Sequence, residues 1–80
     1  MHIKVLGPGC ANCVTLARLT KEAVDELGVD ATIEKVEDFP TIVAYGVMKT
    51  PALVIDEVVV VSGRVPTPTA IRELIGAAAH

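Results

Sequence analysis

His2-Ile3-Lys4-Val5-Leu6-Gly7-Pro8-Gly9-Cys10-Ala11-Asn12-Cys13 carries the chain out of a strand and into a helix, with two cysteines at the crossing. His2 to Leu6 reads as a short strand, stopped by Gly7-Pro8-Gly9. Beyond it, Leu16, Leu19, Ala23 and Leu27 recur at helical spacing on one face, while Arg18, Glu22, Asp25 and Glu26 fall elsewhere. Gly28 is placed to end that helix. The helix therefore begins within or just after Cys10-Ala11-Asn12-Cys13.

That position gives the cysteines a chemistry. Unpaired backbone N–H groups converge at a helix N-terminus and the helix dipole is positive there. Both favour a thiolate, the attacking species in disulfide exchange. Cys10 is the expected nucleophile, and Cys13, one turn inward, the thiol that resolves a mixed disulfide. Gly9 leaves Cys10 uncrowded and lets a partner backbone approach. A bridge between cysteines three apart closes too short a loop to restrict the unfolded chain much, so stapling is a poor explanation for the pair. Two bland readings stand beside this one: small core residues, or half of a metal clip. A zinc site needs two more ligands. The two histidines, His2 and His80, lie at the chain ends, so no metal site is expected within one chain.

Downstream, Ala31 to Val36 reads as a second strand and Phe39 to Tyr45 as a short helix, with Asp38 as N-cap, Pro40 in the first turn and Gly46 at the end. Ala52 to Ile55 and Val58 to Val61 are β-branched runs around Asp56-Glu57, which suggests a hairpin. Asp-Glu is not a favoured two-residue turn, so a longer turn is expected. A last helix should run from Pro68 to Ala78, capped by Thr67, burying Ile71, Leu74, Ile75 and Ala78. The order is β-α-β-α-β-β-α. The first two strands should be parallel with a right-handed crossover. The expected fold class is α/β: a mixed four-stranded sheet with helices on both faces. Val58 to Val61 reads as a strand covered on both sides.

The totals agree with one small domain spanning residues 1–80. Half of the residues are apolar, but Phe39 and Tyr45 are the only aromatics, so the core must be Val, Ile, Leu and Ala. Net charge is −3 and the seven basic residues are dispersed, which argues against nucleic-acid binding. The longest apolar run is too short to cross a bilayer, so no membrane association is expected. The N-terminus does not read as a signal peptide, and the expected location is cytoplasmic.

Lys49-Thr50-Pro51 precedes the third strand. Proline can simply open a strand. Because it follows a Cys-x-x-Cys pair in this order, the sharper expectation is a cis Thr50–Pro51 bond, which X–Pro permits. Thr50 would then turn its backbone groups outward beside the cysteines, to pair with an extended substrate segment. Lys49 is either an electrostatic aid to the thiolate or a solvated loop lysine. Lys21 and Asp25 are spaced for an i, i+4 pair.

Taken together, Gly9-Cys10-Ala11-Asn12-Cys13 after a first strand, Thr50-Pro51 before a hairpin and a final helix resemble the thioredoxin superfamily, over essentially the whole chain. The small thioredoxin- or glutaredoxin-like redox-active disulfide proteins are the most similar branch. The resemblance implies a minimal thioredoxin fold with sheet order 2-1-3-4, the first and third helices on one face and the second on the other. It implies thiol–disulfide oxidoreduction without a cofactor, with Cys10 as nucleophile, Cys13 as resolving thiol and Pro51 as the cis-proline. Gly9, Thr50 and Pro51 would bind substrate. Implied partners are protein disulfides and a thioredoxin-reductase-like or glutathione-type reductant, with the chain acting as a monomer.

Departures from that pattern are specific. Ala11-Asn12 stands where thioredoxins have Gly-Pro, and Gly9 replaces a tryptophan. Lys4 occupies the position of the usual buried carboxylate. It could lower the thiolate pKa if it pointed inward, but the expectation is a stem along the sheet and an ammonium in water. Val61-Ser62-Gly63 only loosely resembles a glutathione-binding loop. Two other functions compete: a soft-metal carrier holding Cu(I) between the cysteines, and a binding module of the same fold with little redox activity. Metal-carrying domains with this motif end in a strand, whereas this chain is expected to end in a helix.

Overall fold

The computed structural model describes residues 1–79; His80 lies outside the described residues. In chain order the elements are β1 (His2–Leu6), α1 (Ala11–Leu27), β2 (Thr32–Val36), α2 (Phe39–Ala44), β3 (Ala52–Ile55), β4 (Val58–Ser62) and α3 (Pro68–Ala78). The sheet order is β2-β1-β3-β4, with β1 parallel to β2 and antiparallel to β3, and β3 antiparallel to β4. This is the minimal thioredoxin fold anticipated above.

The ends of the helices follow from side chains that satisfy free backbone N–H groups. Asp38 accepts from the Thr41 N–H at 3.1 Å, and Thr67 Oγ1 from the Ala70 N–H at 3.2 Å. Gly28, at φ 65°, closes α1 in the left-handed conformation.

Strand alternation divides the core in two. Ile3 and Val5 of β1, with Leu53 and Ile55 of β3, meet Leu16, Ala17, Ala23 and Val24 of α1 and Ile71 and Ile75 of α3. On the other face Leu6, Ala52 and Val54 meet Ile42 of α2, together with Val36 and Val47. β3 is buried along its whole length, because it lies inside the sheet under helices on both faces.

Several details differ from the sequence reading. The buried stripe of α1 is wider than Leu16, Leu19, Ala23 and Leu27. Ala17, Thr20 and Val24 are also buried, Leu19 is half-buried and Leu27 is exposed. Thr20 is accommodated because its hydroxyl donates to the Leu16 carbonyl at 2.7 Å. On α3, Ile71 and Ile75 are fully buried, Leu74 half so, and Ala78 is exposed in the last turn. The i, i+4 ion pair on α1 is Arg18–Glu22, in place of Lys21–Asp25. β4 is an edge strand: Val58 is exposed and Val59 and Val60 are only half-buried, so it is not covered on both sides as its composition suggested. A bulge pairs Leu53 with Val61 and Val54 with Val59. It leaves Val60 over, and both Val60 and Val61 then pack toward α1 and α3.

The hairpin turn is also shorter than expected. Only Asp56 and Glu57 separate β3 from β4, and both have positive φ, 47° and 69°. That left-handed conformation costs a non-glycine residue about 1–2 kcal/mol. Side-chain bonds offset it. Asp56 Oδ1 accepts from the His2 N–H at 2.8 Å, while the Asp56 N–H donates to the His2 carbonyl at 2.8 Å. Glu57 accepts from Lys4 Nζ at 3.0 Å and from the Tyr45 hydroxyl at 2.8 Å.

Lys4 is therefore not simply in water. Its side chain is 18% exposed, and Nζ donates to the Tyr45 hydroxyl at 2.6 Å as well as to Glu57. It sits on the α2 side of the sheet and ties β1 to the end of α2 and to the hairpin. The Tyr45 and Glu57 hydrogen bonds raise the Lys4 pKa above its ordinary value. The Lys4 and Tyr45 hydrogen bonds hold Glu57 below the usual carboxylate range. The Thr41 hydroxyl, then the Thr41 N–H, do the same for Asp38.

The signs give a pH profile. A depressed carboxylate stabilises above its unfolded pKa and loses that contribution as pH falls through its folded value. A raised lysine stabilises below its unfolded pKa and loses that contribution as pH climbs through its folded value. Urea midpoints should thus be flat around neutrality, fall on the acid side below about pH 4, and fall again at strongly alkaline pH. Glu57→Gln should lower the neutral midpoint and flatten the acid limb. An acid limb identical to that of the parent would show that the Lys4–Tyr45–Glu57 cluster does not set it.

Candidate active site

At the end of β1 the chain turns through Gly7-Pro8-Gly9 and enters α1 with Cys10 as N-cap. Cys10 is exposed and Cys13 is 5% exposed. The two sulfurs form a disulfide, with Cα atoms 5.0 Å apart. The Cys13 N–H donates to Cys10 Sγ at 3.2 Å. Cys10 is thus where an N-cap oxygen would ordinarily be: its sulfur takes a first-turn amide, and reduction leaves that amide aimed at the sulfur best placed to be a thiolate.

Gly9 has φ +85°, and a Cβ there would meet nothing within 4 Å. Its glycine is required by the backbone turn, not by crowding at Cys10. The crowded glycine is Gly7, which the sequence reading treated only as a strand stop. A Cβ on Gly7 would overlap Cys13 Sγ and stand 3.6 Å from Thr50 Cβ. Gly7 is therefore the seat between the inner sulfur and the loop before β3. A glycine directly after a strand and six residues before the second cysteine was the available signal.

The Thr50–Pro51 bond is cis. Pro51 is fully buried, Thr50 is half-buried, and the Pro51 carbonyl accepts from the Gly63 N–H at 2.9 Å. Cys10, Cys13, Thr50 and Pro51 are thus gathered at one end of the sheet, around Gly7. Lys49 lies with its stem against Gly63, where its Cβ would be 3.1 Å from a Cβ on that glycine. Ser62-Gly63 is therefore part of the support for the proline loop.

One further feature was not foreseen. An indentation of about 50 Å³ opens beside Cys13 on the β2 side, bordered by Gly7, Gly9, Val14, Lys35 and Glu37. Among the described residues no cluster of three or more His, Cys, Asp or Glu side chains could hold a metal ion.

A thioredoxin fold that carries a cysteine pair at the opening of α1, next to a cis-proline loop, defines a class of thiol–disulfide oxidoreductase-like proteins. Residues 1–76 match the Thioredoxin domain family, and the chain belongs to it. It is similar to a thioredoxin of Methanothermobacter thermautotrophicus, with 37% identity over 75 residues, covering 94% of this chain and 97% of that protein. It is likewise similar to a thioredoxin of Methanocaldococcus jannaschii, with 39% identity over 71 residues, covering 89% of this chain and 81% of that protein.

Proposed function

We propose that the protein is a small dithiol–disulfide oxidoreductase that exchanges the Cys10–Cys13 pair with disulfides of other proteins. The observation that carries this is the asymmetry of the pair: an exposed sulfur receiving a helix amide, and a buried sulfur in bonding range of it. Cys10 thiolate attacks one sulfur of a substrate disulfide, and the other sulfur leaves as a thiolate. Cys13 then attacks Cys10 Sγ, breaks the mixed disulfide and releases the second substrate thiol. Two electrons pass to the substrate and the protein is left oxidised. A thioredoxin-reductase-like or glutathione-type reductant completes the cycle. An extended substrate segment lies across Gly9 and the Thr50 backbone, with Pro51 holding that loop in place.

Trapping tests the reading. Cys13→Ser should accumulate mixed disulfides through Cys10 that dithiothreitol releases, and Cys10→Ser/Cys13→Ser should accumulate none. Equal trapping by Cys10→Ser, or none by a folded Cys13→Ser, would overturn the assignment of roles.

A further inference from the structure

The mixed-disulfide step needs Cys13 as a thiolate, yet a thiol in apolar surroundings holds its proton tightly. Cys13 is almost fully buried. Some group must take that proton, and the structure limits which. From α1 the neighbour is Cys10, which is in the mixed disulfide at that moment. Just past β1 it is Gly7, which has no side chain. From the loop before β3 it is Thr50, which is not a base at neutral pH, and Lys49 is turned against Gly63. Lys4, on the α2 side of the sheet, is a protonated donor held by Tyr45 and Glu57. What remains is the β2 side, where Lys35 and Glu37 border the same indentation as the sulfur.

Register separates these two. Val5 pairs with Lys35 and Leu6 with Val36, and the Gly7 N–H donates to the Val36 carbonyl at 2.9 Å. Glu37 is the next residue, level with Gly7, and Gly7 is the residue against which Cys13 Sγ is seated. Lys35 is one pleat further from the sulfur, level with Val5. Its ammonium is a donor with no lone pair to accept a proton. The indentation that Cys13 and Glu37 both line, at about 50 Å³, has room for a water, which needs about 15 Å³.

We infer that Glu37 accepts the Cys13 proton, through water in this indentation, as Cys13 attacks the mixed disulfide; this rests on the redox reading above. The step balances. The Cys13 S–H bond breaks and its proton passes to the Glu37 carboxylate. The Cys13 Sγ–Cys10 Sγ bond forms, and the Cys10–substrate bond breaks. The substrate leaves as a thiolate and takes up a proton from Glu37 or solvent.

The test isolates that step. Reduced protein is charged at Cys10 with the symmetric disulfide of 5-thio-2-nitrobenzoate, which loses one aryl thiolate in that exchange, and release of the second aryl thiolate by Cys13 is followed by stopped flow across pH. Glu37→Gln should slow release at neutral pH by about tenfold or more, and remove the acid-side inflection that a carboxylate base gives. Glu37→Asp should restore the inflection. Glu34→Gln, on β2 and facing the other side of the sheet, should leave both unchanged. Glu37 is exposed, so these variants should fold. Unchanged release and inflection in Glu37→Gln, or a uniform slowing at every pH, would overturn the inference. If the parent protein itself charges at Cys10 but never releases the thiolate, the redox reading fails instead.

Discussion

Cys10→Ser should abolish catalysed disulfide reduction, with a loss of at least about a thousandfold, as expected when the nucleophile that attacks the substrate is removed. A serine hydroxyl keeps its proton at neutral pH even beside the amides of a helix N-terminus, so the α1 opening has no thiolate to stabilise. Cys13→Ser should behave differently. Its Cys10 still attacks, so each molecule reacts once and then stalls as a mixed disulfide. Cys10→Ser is read by following reduction of a protein disulfide in the presence of dithiothreitol, over the rate without protein, and Cys13→Ser by a single turnover of the reduced variant with dithiothreitol removed. Residual turnover of Cys10→Ser above about a tenth of the parent would mean that Cys13 is the attacking thiol, which its burial argues against.

Leu53→Ala should be the most destabilising single core truncation of β3. Leu53 is fully buried on one of the two interior strands and faces α1 and α3 together with Ile3, Val5, Leu16, Ile71 and Ile75. Truncations of this kind cost about 3 kcal/mol, from lost transfer energy and the cavity left behind. At about 5 °C per kcal/mol for a domain of this size, Tm should fall by about 15 °C. Total stability for 80 residues is about 4–12 kcal/mol, so the variant should remain folded only with a narrow margin. Val58→Ala, exposed at the sheet edge, should stay within about 0.5 kcal/mol of the parent. Thermal or urea unfolding followed by circular dichroism measures both. A Leu53→Ala loss below about 1 kcal/mol would mean that β3 and the two helices repack freely around it.

Local features of the sequence were sufficient for much of this. Helix ends were legible because Asp38, Thr67 and Gly28 act on backbone groups within a few residues of themselves. The cysteine pair was legible because a motif of four residues fixes its own geometry once a helix begins there. The cis Thr50–Pro51 bond was inferred from order alone, since proline is where such a bond is accessible.

What was missed depends on partners distant in sequence. The Asp56-Glu57 turn is tight because His2, Lys4 and Tyr45 hold it, and none of these is within ten residues of it. Lys4 looked like a solvated lysine until strand pairing brought Glu57 to it. Val58 to Val61 has the composition of a central strand, but edge or centre is settled by sheet order, and the bulge at Val60 by pairing with β3.

The sequence by itself determined the element order, the Asp38, Thr67 and Gly28 caps and the position of the two sulfurs at a helix opening, because each depends on interactions among near neighbours along the chain. Only the tertiary structure decided that Gly7 is the seat of the Cys13 sulfur, that Lys4 is tied to Tyr45 and Glu57, and that Glu37 shares an indentation with the inner cysteine. Those are contacts across strands and between helix and sheet, and the register that creates them is fixed by packing of the whole core.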